Sequence, residues 1–236
     1  MLNLKKITTF IFFLFFSIKI SYAQEISSFE SDRLSFRLAQ NETDLDNIMN
    51  TIKEREDLNF MWGPSFTLKR VKNIYQRRFY CNQHFLKENG EIPNFLMWIA
   101  EDKKTKDYIG YAGISLKNNN YLQDIEFINE NPNKLYDNFK DKMIAKFYIA
   151  VDPSKRAHGY AYEMEQSIID KLFAHANIDV FFHTCSEKNE ASNKLAKKLN
   201  LHYQGGFVDG DKIENVYTID METYLVQKTL KLSIEQ

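Results

Sequence analysis

The sequence is poor in the residues that staple or break a chain: 2 cysteines, 4 prolines and 8 glycines in 236 positions. Two cysteines, Cys81 and Cys185, cannot build a disulfide scaffold, and nothing in the sequence brings them within bonding range. No CxxC pair occurs and the five histidines lack zinc-like spacing. His183-Thr184-Cys185 offers two soft ligands on one strand face, but no third or fourth follows, so no metal site is expected. A net charge of −1 gives no global basic footprint, which excludes nucleic acid as an expected partner. No internal repeat and no linker-like stretch of Pro, Gly or Ser divides the chain. What is present is ordinary globular material, 44% hydrophobic and 27% charged, enough for the core of one large domain. The 13 Tyr and 19 Phe are spread along the chain, as core and surface residues rather than a binding platform.

The one biased segment is the N-terminus, MLNLKKITTFIFFLFFSIKISYAQ. Lys5 and Lys6 precede the apolar run Phe10–Phe16, and small and polar residues lead to Ala23. This layout predicts a secretory signal peptide over residues 1–23, cleaved after Ala23, and hence an exported protein, periplasmic or secreted. The run is too short to span a bilayer and Lys19 interrupts its extension. The alternatives are a buried helix or an uncleaved anchor, the latter being the single expected contact with a membrane. Cleavage lowers the count of Lys and Arg from 31 to 28 against 32 acids, a net charge of −4.

Residues 24–236 read as one α/β domain with a mixed sheet. Residues 32–40 alternate as a strand, and residues 41–55 repeat apolar positions at helical spacing behind Asn41 or Thr43 as a cap. A second helix is predicted over 67–89. Strands follow at 94–102 and 108–116 around the polar turn KKTKD, and Gly110 and Gly113 mark a bulge or a close backbone approach. Residues 117–142 are an Asn-rich, acidic insertion. A strand at 143–153 stops at Asp152-Pro153. Then come a helix (160–177), a strand (178–186), a helix (189–202) and a hairpin around Asp209-Gly210-Asp211 that runs to Gln227.

The stretch KRAHGYAYEME (155–165) carries the chemistry. It lies where a strand ends and a helix begins. A helix N-terminus offers unpaired N–H groups and a positive dipole end. Gly159 lets backbone approach a ligand, while Lys155 and Arg156 add charge, so the stretch has the ingredients of a pyrophosphate cradle.

In order and spacing this stretch resembles the central motif of the GCN5-related N-acetyltransferases (GNAT), (Gln/Arg)-x-x-Gly-x-(Gly/Ala), here Arg156, Gly159 and Ala161 after YIAVDPS. NEAS (189–192) and KLNL (198–201) are similar to the family's later helix. FESDRLSFRLAQNETDLDNI and WIAEDKKTKDYIGYAGISL resemble the opening and central hairpin of the subgroup that acetylates ribosomal-protein N-termini. The likeness covers about residues 28–226. It implies a GNAT fold, with a mixed, mostly antiparallel central sheet flanked by helices, its fourth and fifth strands splayed around the acyl-CoA arm. It implies acetyl-CoA as co-substrate, with the backbone of Ile149, Ala150 and Val151 along the pantetheine. The loop Arg156, Ala157, His158, Gly159, Tyr160 and Ala161 falls to the pyrophosphate, and Asn189 and Ser192 face the arm.

Departures are also legible. Asn200 stands where the family has glycine, and asparagine is the next-best residue for a left-handed helix end. Ala196 stands where many members have a catalytic tyrosine, and Lys146 where several have a glutamate. Residues 143–151 hold no carboxylate, so the base must come from elsewhere, with Glu126 in the insertion or water as candidates. Ser192 and Tyr203 are candidates for protonating the leaving thiolate. The expected acceptor is an amine-bearing small molecule or a protein N-terminus. Two readings stand: an N-acetyltransferase, or an exported GNAT-like module that binds CoA or another ligand without catalysis.

Overall fold

The computed structural model describes residues 25–234 apart from 55–56, 58, 60–61, 63–65, 89–92, 118–138, 140 and 211. The expected signal peptide, Glu126 and most of the insertion lie outside the described residues.

The elements run β1 (Ser28–Glu30), β2 (Leu34–Leu38), α1 (Glu42–Thr51), α2 (Leu68–Glu88), β3 (Phe95–Asp102), β4 (Tyr108–Lys117) and β5 (Ile144–Val151). A single 3-10 turn (Pro153–Lys155) leads to α3 (Tyr160–His175). The chain ends with β6 (Val180–Ser186), α4 (Glu190–Lys198), β7 (His202–Asp209), β8 (Lys212–Asp220) and α5 (Met221–Ile234). The strands form one sheet in the order β1-β2-β3-β4-β5-β6-β8-β7. Every pairing is antiparallel except that of β5 with β6.

Alternation along the strands sends side chains to opposite faces of the sheet. On one face Ala145 and Phe147 of β5 and Phe181 of β6 pack with Met164, Ile168, Leu172 and Phe173 of α3, together with Ala196 and Leu199 and Tyr224 of α5. On the other, Met97, Ile99 and Tyr111 pack with Leu45 and Ile48 of α1 and Val71, Tyr75 and Phe79 of α2. The domain is therefore three layers, with a core on each side of the sheet.

Local chemistry sets the ends. Asn41 caps α1 through a complete capping box with Asp44, which also takes a two-pronged contact from Arg37 at 2.9 and 2.7 Å. Asn200 adopts the left-handed conformation expected of it, with φ 54°. Gly110 shows the close approach: a Cβ there would lie 2.3 Å from the Ala150 carbonyl oxygen of β5. The ladder also shifts register opposite this residue, between Ala100 and Glu101. One expectation is corrected. The C-terminal hairpin stops at Asp220, and Met221–Ile234 is helical because Asp220 caps it, accepting from the Thr223 amide at 2.8 Å.

Candidate active site

β5 pairs with β4 along its whole length but with β6 only from Ile144 to Lys146. Past Lys146 and Phe182 the two strands part. The second half of β5 then has no strand on one side, and its peptide groups there are open to a ligand. A cleft of about 370 Å³ fills the gap, lined by Phe147, Tyr148 and Ile149 of β5 and His183, Thr184 and Cys185 of β6. Asn189 and Ser192 at the start of α4 line it too. Ala150 and Val151 are not among its lining residues. Val151 instead offers its carbonyl to the Arg156 side chain at 3.2 Å.

Directly after β5 the chain reverses. Asp152 accepts from the Ser154 amide at 2.9 Å, and Ala157 and Gly159 both take left-handed backbone, φ 64° and 79°. Left-handed geometry at the alanine is strained, and at the glycine it is not. Gly159 is the N-cap residue of α3 and supplies no side-chain cap, so the first N–H groups of the helix stay available. Tyr160 and Ala161 open the helix.

The nearby cations are spoken for. Lys155 pairs with Asp107 at 3.1 Å, and Arg156 pairs with Asp57 at 2.9 Å. Arg156 thus ties the end of β5 to the segment after α1. His158 turns its ring to the Arg156 carbonyl, Nδ1 to oxygen 2.6 Å. A residue that the sequence reading placed only in a strand, Arg33, reaches this loop. It donates to the His158 carbonyl at 3.0 Å, pairs with Glu163 at 2.6 Å and lies 4.5 Å over the Tyr160 ring.

None of residues 156–161 lines this cleft; within it His183 and Ser192 form a line with Glu165 behind them. Glu165 Oε1 meets His183 Nδ1 at 2.7 Å, and His183 Nε2 meets Ser192 Oγ at 2.8 Å. Glu165 is 0% and His183 3% exposed. Burial works against an imidazolium, but the Glu165 charge and hydrogen bond and the nearby Cys185 outweigh it, and His183 is pushed up to about 10. Both ring nitrogens then carry protons: Nδ1–H donates to Glu165 and Nε2–H to Ser192. The serine hydroxyl proton is left to donate elsewhere. Asn189 holds Ser192 in place, accepting from its amide at 3.1 Å as the cap of α4. The sequence reading named Ser192 but took His183 as a possible ligand and Glu165 as a helix residue. A signal was there: Glu165 stands three, four and seven positions before Ile168, Ile169 and Leu172, which puts an acid on a buried face.

Even-numbered β5 residues point to the opposite face, toward α2. There Lys146 and Tyr148 meet Trp62, Phe66 and Arg78 in the cleft wall. Glu214 of β8 lies opposite Ser186 and shares that face. It is 7% exposed, and burial raises its pKa against the pull of Lys212 and Lys146. With Asp209 it brings carboxylates to the cleft wall, which residues 143–151 do not, and it comes from a strand distant in sequence. Tyr203, on the edge strand β7, is 56% exposed, is not among the residues lining the cleft, and meets Asn215 at 3.4 Å. Ala196 is fully buried in the core. Cys81 and Cys185 are both free thiols.

The family model described as acetyltransferase (GNAT) domain matches residues 33–202, which holds the sheet to β6, the loop at Gly159 and α4. The chain belongs to the GNAT acetyltransferase family. Solved GNAT structures share its fold. An acetyltransferase of the GNAT family from Bacillus anthracis superposes with TM-score 0.57 at 14% identity, covering 83% of this chain and 99% of that one. Spermidine N-acetyltransferase from Vibrio cholerae, in complex with CoA and spermine, gives TM-score 0.56 at 17% identity, with 83% and 99% covered. The Salmonella typhimurium acetyl transferase that modifies the N-terminal serine of ribosomal protein L7/L12 gives 0.55 at 16% identity, with 80% and 96% covered. No curated protein matches the sequence. The GNAT fold places the splayed pair at β5 and β6, the fourth and fifth strands when β1 is left out.

Proposed function

We propose that this GNAT protein is an N-acetyltransferase that moves an acetyl group from acetyl-CoA to a primary amine by direct attack. The observation that carries the reading is the parting of β5 from β6 between the uncapped start of α3 and the Ser192–His183–Glu165 line. The site fits the co-substrate. Open peptide groups of β5 at Phe147–Ile149 suit the amides of an extended arm, and the α3 N-terminus with Gly159 suits a pyrophosphate. Acetyl-CoA supplies the activated thioester.

The residues then divide the proton work. A neutral amine attacks with its lone pair and sheds one proton as the C–N bond forms, and Glu214, a buried carboxyl of raised pKa facing the acceptor side, takes it in its ionised form. The new C–N bond forms as the C–S bond breaks. Ser192 gives its hydroxyl proton to the departing sulfur and is resupplied by Nε2–H of His183. Glu165 holds the imidazole in orientation and stabilises its cation. Measured turnover with a panel of primary amines tests this reading. Acetylation supports it, whereas tight CoA binding with no turnover on any amine supports the non-catalytic module instead.

We also propose that residues 1–23 direct export and are removed after Ala23. No described helix is long and apolar enough to cross a membrane. Acetyl-CoA is a cytoplasmic metabolite, so an exported enzyme would act inside another cell that contains it. N-terminal sequencing of the secreted form should begin at Gln24. A first residue of Met1 would contradict the proposal.

A further inference from the structure

We propose that the acceptor carries a carboxylate beside its amine, and that Arg78 binds that carboxylate. The inference rests on the acetyltransferase reading and names the substrate class of the same site. Arg78 projects from α2 into the acceptor side of the cleft. Its guanidinium carbon lies 4.2 Å from the ring centre of Phe95, 5.1 Å from Trp62, 5.2 Å from Tyr148 and 5.7 Å from Tyr75. Four rings hold the cation and fix its plane. Nη1 is out of contact with solvent and meets no acceptor among the described residues.

Three other arginines pair with carboxylates, while Arg70 and Arg77 show no such pair among the described residues but do not line the cleft. Arg33 has Glu163, Arg37 has Asp44 and Glu101, and Arg156 has Asp57. Among the described residues Arg78 has none. A preorganised, partly desolvated guanidinium fork without a counter-ion among the described residues is suited to a two-pronged anion, above all a carboxylate. Around it the cleft holds Lys146 and Lys212 as well, against Asp209 and Glu214. A polyamine would bring further positive charge to this wall. A molecule with one amine for Glu214 and one carboxylate for Arg78 matches both groups. Two sources share that chemistry: a free amino acid, and a peptide whose N-terminal amine precedes an acidic side chain.

The test compares matched acceptors on wild type, Arg78→Met and Arg78→Lys. Free L-amino acids are set against their amides, and N-terminal dipeptide amides with aspartate second against those with asparagine second. The wild type should favour the carboxylate form in one of the two series by at least about tenfold in kcat/KM. Arg78→Met should erase that preference by raising KM for the carboxylate form at least about tenfold more than for the amide. Arg78→Lys, a charge without the fork, should fall between them. Unchanged stabilisation by CoA would certify both variants as folded. In parallel, thermal shift in the presence of CoA reads acceptor binding without turnover. Carboxylate forms should stabilise the wild type and not Arg78→Met. Equal kcat/KM for acid and amide in the wild type, or the absence of any carboxylate-dependent shift, would overturn the proposal. A carboxylate-dependent shift with no acetylation would leave this site standing and overturn the acetyltransferase reading.

Discussion

Ser192 was legible in the sequence because a motif pointed to it, but its partners were not. His183 lies nine positions upstream and Glu165 on a different helix, and only the parallel packing of β6 beside α3 and α4 brings them together. Their roles predict distinct kinetics. Ser192→Ala should lower kcat by about 10²-fold while leaving CoA affinity within about twofold, read by steady-state rates and calorimetry. His183→Gln should lower kcat less and change its pH profile at high pH, because the serine then lacks its imidazolium donor. An unchanged profile would reduce the histidine to packing. The same residue also leaves a mark on stability. Its folded pKa, about 10, lies above its ordinary 6.5, so the folded state binds the proton more tightly. Stability from this group is complete below pH 6.5 and is lost as pH rises toward 10. Urea unfolding between pH 6 and 10 should show that loss in the wild type and a flatter curve in His183→Phe.

At the scale of elements, periodicity and caps carried most of the fold. The start of α1 at Asn41, the end of β5 before Asp152-Pro153 and the turn at Gly159 all sit where local chemistry puts them. α5 is not expected from the sequence because Tyr-Leu-Val in its first turns reads as strand, although Asp220 as a cap residue with Glu222 in the first turn is a start signal. The parting of β5 and β6 is invisible to periodicity, since both strands look alike on either side of Lys146. What holds β5 in place is checkable. Gly110→Ala would drive a Cβ to within 2.3 Å of the Ala150 carbonyl oxygen, a backbone atom that cannot step aside. The substitution should cost about 1–3 kcal/mol in unfolding free energy and weaken CoA binding as β5 shifts. Asn41→Ala, distant from the cleft, should cost about 1 kcal/mol and leave CoA binding alone.

For the whole molecule, one sheet divides the labour. In the proposed mechanism the α3 and α4 face carries the loop for the acyl donor and the proton line to the leaving group, and the α2 face carries the carboxyl and the guanidinium for the acceptor. The proposed donor site is largely local in sequence, around Ile149, the loop Arg156 to Ala161, and Asn189 and Ser192, so motifs can point to it. The proposed acceptor site draws on Arg78, Tyr148 and Glu214, from three distant segments that no local motif links. The central claim is that the gap between β5 and β6 with the loop at Gly159 is an acyl-CoA site. Thermal unfolding of the purified protein with increasing CoA tests it most directly, with Gly159→Glu as the companion. The account predicts a dose-dependent rise in Tm for the wild type, equivalent to about 2.7 kcal/mol at a hundredfold excess over Kd, and none for the variant. No rise at millimolar CoA in the wild type, or an equal rise in Gly159→Glu, would contradict it.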